Sequence, residues 1–409
     1  MTSFNSWLGQ VDAKLSDLDT QKLGIAVSGG GDSIALLRLA ADWANTHSVA
    51  LFAYTVDHDL RPEAASEVAF VRDLCTSLGL RHSTLKWRDW DGQGNLSQEA
   101  RNARYKMMAD AALKDGVSTI ALGHTQDDQS ETVLMALARR SGIDGLAAMP
   151  VARATNGVTW VRPLLGVSRQ DLRDYLDAKQ QTWIDDPTND EPKYERVRMR
   201  NAKVQLGDLG LTARALADVA QHMQSVQAVL RAVTQTARHE ICEAIGGAVR
   251  LDRTKFADQP AEIRRRLLVE ALGYVAPQAG APRKDAVAAL LRGDTDASLA
   301  GCLVIHKRSH IWVAREPHAV RDIVCRITQV WDGKWRIHAE KPRHGLVIRA
   351  LGENGLKSYP EWRDTALPRQ VLLSSPAIWQ GERLIDAPMV GQSADWSAEL
   401  LFGKEVYHS

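Results

Sequence analysis

The chain lacks paired cysteines. Its four, Cys75, Cys242, Cys302 and Cys325, are far apart and form no Cys-x-x-Cys. That argues against a zinc ribbon or a disulfide framework and fits a reducing cytosol. Nowhere does an apolar run approach the ~18 residues of a membrane span. The start, "MTSFNSWLGQVDAKLS", has no basic residues leading into an apolar core, so no signal peptide is expected and a cytoplasmic location is. Neither sign of charge is in excess. A formal net charge of +1 neither demands nor excludes a nucleic-acid partner, because a basic face can hide in a neutral total. Internal repeats and low-complexity tracts are absent too.

What is present fits a multidomain globular protein. The 409 residues are 44% hydrophobic and 25% charged, enough for two or three domains with sizeable cores. The first half alternates two periods. "LGIAV" (23–27), "VALFAYTVDH" (49–58), "RHSTLKW" and "VSTIALGH" (117–124) read as strands. Residues 33–44, 63–78, 97–113 and 126–140 read as helices. Strands alternating with helices predict a doubly wound parallel sheet, α/β in class, with ligands at the carboxyl ends of its strands. The loops at Ser28, Asp57 and His124 should gather there. "VTWVRPLLGVSRQDLRDYL" reads as strand, turn and helix, with Ser168 and Asp171 as a capping box. Gly207 and Gly210 break the pattern, which predicts a catalytic domain over 1–208. A mostly helical domain over 209–317, with one short strand pair, and a small β-rich domain over 318–409 follow.

The loop "SGGGDS" (28–33) lies between a predicted strand and a predicted helix. Glycines allow close backbone approach, and a helix start adds free N–H groups and a positive dipole end. Ser28, Gly29, Gly30, Gly31, Asp32 and Ser33 are therefore the candidate ATP-phosphate cradle. A Walker A loop would place a lysine here. Asp32 stands instead and would repel phosphate without a cation between them, which predicts Mg²⁺ with Asp32 as ligand.

Ser-Gly-Gly-x-Asp-Ser resembles the pyrophosphate loop of the N-type ATP pyrophosphatases, which cut ATP between its α and β phosphates. Five further stretches resemble the tRNA(Ile)-lysidine synthetases. They are "TVDHDLRPEA" (55–64), "QEARNARY" (98–105), "GHTQDDQSETVLMALARRSGIDGLAAM" (123–149), and "VRPLL" with "WIDDPTNDEPKYERVRMRN" (183–201). Three positions depart from that pattern: Asp59 for a glycine, Thr125 for a histidine and Arg140 for a glycine. The resemblance is strong over 23–206 and weaker beyond. It implies a ligase that forms a C–N bond. Such an enzyme adenylates the C2 oxygen of the wobble cytidine in the CAU anticodon of tRNA(Ile), then lets L-lysine displace AMP.

The resemblance also implies roles. Asp128 becomes a second Mg²⁺ ligand, and Asp127 points away around the helix to cap it. His124 either contacts phosphate or adenylate or serves as base for the lysine amine. Glu131 either binds the lysine ammonium or caps polar groups. Arg101 and Arg104 contact the α phosphate or the tRNA backbone. Arg200 reaches the adenylated cytidine, and Arg196, Arg198 and Lys203 extend a tRNA-binding face. Basic clusters at 264–266, 283–284, 306–310 and 334–349 are candidates for tRNA backbone contact or ordinary surface charge, and a homodimer is left open. A tRNA thiolase of the same superfamily would need sulfur-carrying cysteines. A non-enzymatic RNA-binding protein would leave Asp32 and the glycine loop without a role.

Overall fold

A computed structural model describes residues 2–57, 64–87, 96–185, 195–339, 345–391 and 395–401. The motif residues His58 to Glu63, Asp59 among them, lie outside these, as do 186–194 and 340–344. The chain forms two compact units, Met1–Ala228 and Val229–Ser409.

In the first unit, α1 (Thr2–Ser16) precedes β1 (Lys22–Ala26), α2 (Gly31–His47), β2 (Ala50–Asp57), α3 (Ala64–Ser77) and β3 (Arg81–Lys86). Next come α4 (Leu96–Lys114), β4 (Thr119–Ala121), α5 (Gln126–Ala138), α6 (Ile143–Leu146), β5 (Ala152–Thr155) and β6 (Val158–Val161). The helices α7 (Arg169–Ala178) and α8 (Glu195–Asp208) follow, and the boundary between units falls inside α9 (Ala213–Ile241). The six strands are ordered β3-β2-β1-β4-β6-β5. All pair in parallel except the edge hairpin β5–β6. This is the doubly wound sheet expected from the alternating pattern.

Strand alternation divides the core between the two faces. Leu23, Ile25, Ala53, Ala121 and Val161 enter one cluster with α1, α2 and α7. Phe52, Tyr54, Ile120 and Trp160 enter the other with Met108, Ala109 and Ala112 of α4. The helix α1 carries no strong sequence signal, yet Trp7, Val11 and Leu15, four apart, are buried against α2. The strand expected over 117–124 is only three residues long. The chain order reverses between β1 and β4, so the loops after those two strands flank the switch-point crevice.

The second unit has more strand in its first part than the sequence pattern shows. In place of one strand pair there are five antiparallel strands, ordered β7-β8-β11-β10-β9. They are β7 (Cys242–Ile245), β8 (Ala248–Asp252), β9 (Ala297–Leu299), β10 (Cys302–His306) and β11 (His310–Arg315). The two missed edge strands are only four and three residues long, too short to display a period. Helices α10 (Arg253–Ala257), α11 (Ala261–Val275) and α12 (Lys284–Arg292) accompany this sheet. Beyond residue 317 the unit is β-rich, as expected, with a four-stranded and a two-stranded sheet. Trp331, Trp335, Trp379 and Trp396 are all core residues there.

Candidate active site at the switch point

Gly29 takes a φ of +92°, which a side chain would strain, and Gly30 caps α2 without any side-chain hydrogen bond. The first N–H groups of α2 are thus left for a ligand. Ser33 shapes the loop from within. Its hydroxyl donates to the Gly30 carbonyl at 2.8 Å and accepts from the Ser28 N–H at 3.2 Å. The Ile184 N–H closes on the Gly29 carbonyl at 3.0 Å.

Across the crevice, α5 begins with a closed capping box. The Thr125 N–H and hydroxyl donate to Asp128 Oδ2 at 2.8 and 3.0 Å, and the Asp128 N–H returns to Thr125 Oγ1 at 3.4 Å. The capping carboxylate is therefore Asp128, whereas the helix-wheel argument gave that part to Asp127. Asp127 instead accepts the Arg169 N–H at 2.8 Å and the Lys203 ammonium at 2.7 Å. Both carboxyls are held below their ordinary range. Burial opposes this, but Arg169, His124 and the Thr125 N–H outweigh it at Asp128, as Arg169 and Lys203 do at Asp127.

Arg169, the first residue of α7, joins the two sides. Its Nε lies 3.0 Å from Asp32 Oδ2, its Nη2 3.5 Å from Asp128 Oδ1 and its Nη1 3.8 Å from Glu131 Oε1. Glu131 has no exposed surface and also meets Arg200 Nε at 3.1 Å and Arg196 Nε at 3.6 Å. The basic face of α8 is thus largely turned onto the acids of α5. Lys203 pairs with Asp127, Arg196 and Arg200 pair with Glu131, and Arg139 of α5 pairs with Glu195. Arg198 is exposed.

His124 sits behind these groups with its Nδ1 buried and without a hydrogen-bond partner. Burial, opposed by Asp128 and helped by Arg162, Arg196 and Arg101, brings its imidazole down to about 4. It is therefore neutral near pH 7. Arg104 is half-buried, and burial lowers its guanidinium, with Arg101 and Arg196 adding like-charge repulsion. Arg101 lies over the Tyr105 ring, 5.3 Å from its centroid. This cationic corner is suited to an anion.

The donor set suits magnesium. Among the described residues no group of three or more acidic, histidine or cysteine side chains forms a metal cage. Mg²⁺ is ordinarily held by one or two carboxylates plus substrate phosphates, however. Asp32 and Asp128 supply two carboxylates within reach of one cation, the Arg169 guanidinium.

A PP-loop domain family matches residues 5–206. A tRNA(Ile)-lysidine synthase from Ruegeria pomeroyi is 42% identical over 400 residues, covering 97% of this chain and 95% of that protein. Enzymes of the same name from a Bradyrhizobium species and from Wolbachia pipientis are 38% and 31% identical. The first pairs 69% of this chain with 82% of that protein, the second 90% with 89%. The chain belongs to the tRNA(Ile)-lysidine synthase family.

Two departures from the family pattern have local explanations. Thr125, in place of a histidine, is the N-cap of α5. Arg140, in place of a glycine, adopts a φ of +53°, the left-handed conformation that glycine takes without cost. Arg169 is the one central residue that sequence reasoning missed. A signal existed: a cation in the first turn of a helix opposes the macrodipole, so its placement after the Ser168 cap needed a reason.

Proposed function

We propose that this chain joins L-lysine to C2 of the wobble cytidine, position 34, in the CAU anticodon of tRNA(Ile). One ATP is cleaved to AMP and pyrophosphate in the process. The observation that carries this reading is the lysine-free glycine loop at the start of α2, facing Asp128 across the switch point in a chain related over nearly its whole length to lysidine synthases. The C2 oxygen is a poor leaving group. Its attack on the α phosphate expels pyrophosphate, and the lysine ε-amine then attacks C2, so that the oxygen leaves with AMP.

In this reading the loop 28–33 holds the departing pyrophosphate by backbone N–H groups. Asp32 and Asp128 hold Mg²⁺, whose chemistry when bound is to neutralise phosphate charge. His124, neutral and weakly basic, suits a hydrogen bond to phosphate or adenylate better than removal of a proton from an ammonium. Arg104, with Arg101 beside it, orients the α phosphate. Glu131 would take the lysine ammonium by exchanging it for its present partners Arg169, Arg196 and Arg200. Arg198 and exposed basic residues of the second unit contact the tRNA, whereas Lys334 is buried against the Gly247 and Val275 carbonyls. The same reading places the enzyme in the cytoplasm and leaves a homodimer open. Among the described residues no helix is long and apolar enough to cross a membrane.

A thiolase is disfavoured by the cysteines. Burial pushes Cys75 up to about 11, and Cys242 and Cys302 up to about 12, so none is poised as a thiolate. Incubation with ATP, labelled lysine and total tRNA tests the proposal. Lysine label in tRNA supports it, and sulfur incorporation independent of lysine contradicts it.

A further inference from the structure

Arg169 reaches carboxylates from two separate elements. Asp32 comes from the start of α2, and Asp128 and Glu131 come from α5. Its own N–H is tied to Asp127, which fixes the backbone, while the side chain remains about one-fifth exposed. The decisive point is which oxygens it meets. Asp128 Oδ2 is already committed to the Thr125 N–H and hydroxyl. That leaves Oδ1, which faces Arg169 Nη2, and Asp32 Oδ2, which faces Arg169 Nε. A metal ion bridging Asp32 and Asp128 would meet the Arg169 guanidinium, which already lies against both carboxylates. A carboxylate oxygen can accept a hydrogen bond and bind a metal at once, but a guanidinium and a dication a few ångströms apart repel each other.

We propose that Arg169 is the resident counter-ion of this carboxylate cluster and that it exchanges with the divalent cation. The proposal rests on the reading of Asp32 and Asp128 as metal ligands. Arg169 keeps the partly exposed Asp32 and the buried Asp128 and Glu131 neutralised in the nucleotide-free protein, and it withdraws from Asp32 and Asp128 when the cation enters. In this role it is a positioning residue: it sets how readily the site loads, and it touches no reacting atom. An ordinary structural salt bridge differs in one respect. Its loss loosens the site and weakens the metal, whereas loss of a competitor strengthens it.

Titration calorimetry with Mg²⁺ alone, without nucleotide, separates these cases in the full chain. Arg169→Gln should bind Mg²⁺ about tenfold more tightly than the wild type, within the usual range of coupling between two ligands. Arg169→Lys, which keeps the charge, should stay near the wild type. Equal or weaker binding by Arg169→Gln overturns the exchange. Absence of binding by wild type and variant alike also overturns the exchange, whereas the metal assignment is tested separately, with nucleotide present, by pyrophosphate release from Asp32→Ala. A second measurement needs only folded wild-type protein. The Arg169 Nε–H resonance, assigned by its absence from Arg169→Lys, should shift and exchange faster with water on adding Mg²⁺. A resonance unmoved at saturating Mg²⁺ contradicts the proposal.

Discussion

Gly123, just beyond β4, lies against the backbone of Asp32: a Cβ there would sit 3.0 Å from the Asp32 carbonyl oxygen and 3.1 Å from Ser33 Cα. Two neighbouring parallel strands thus deliver their loops into direct contact, and no side chain fits between them. Gly123→Ala must push the start of α2 by a few tenths of an ångström. Because misplacement near reacting groups is costly, the KM for ATP should rise about tenfold with the fold intact by circular dichroism. An unchanged KM would show that the contact does not position the loop.

Glu131 is fully buried among Arg169, Arg196 and Arg200. Glu131→Gln leaves these cations without their shared acid. Removing one partner of a buried ion pair costs about 3–5 kcal/mol, and partial exposure of the arginines should bring this to about 2. Urea unfolding measures the loss, and a change below about 0.5 kcal/mol would mean that water already screens the cluster.

His124 has an acid-range prediction. Its folded value is about 4 against an unfolded value of about 6.5. Between these limits the unfolded chain binds more protons, so stability falls as pH drops from about 6.5 to about 4. Folding of wild type and His124→Gln compared at pH 7 and pH 5 should show the variant losing less. Parallel losses would indicate that the imidazole is not buried neutral.

Arg140 occupies a left-handed backbone position. Arg140→Gly relieves a strain of about 1 kcal/mol and loses part of that to the greater freedom of the unfolded glycine. The variant should melt at the wild-type temperature or slightly above it. A clear drop would show that the Arg140 side chain makes interactions worth more than the strain.

Much of the catalytic unit was legible because its signals are local. The glycine loop, the Asp-Asp pair after His124 and the alternation of strand and helix each lie within a few residues of chain. What the sequence hid is pairing across distance. Lys203 and Asp127 are 76 residues apart, and Arg169 and Asp32 are 137 apart. A run such as "YERVRMRNAK" reads the same whether it faces tRNA or the acids of α5, and in this fold Arg196, Arg200 and Lys203 do the latter. The helix α1 was missed because three buried residues in a mostly polar stretch give too faint a period.

Asp32 is the residue on which loop and metal meet in this account. Asp32→Ala should abolish tRNA-dependent pyrophosphate release while tRNA affinity stays within about threefold, since phosphate contacts elsewhere dominate binding. Pyrophosphate release at the wild-type rate would refute the metal role.

The central claim is tested most directly by mass spectrometry of a tRNA(Ile) transcript after reaction with ATP and lysine. The fragment carrying the wobble cytidine should gain one lysine less one water, with one AMP and one pyrophosphate formed per modified base. An unmodified fragment, or ADP and phosphate as the products, would contradict the account.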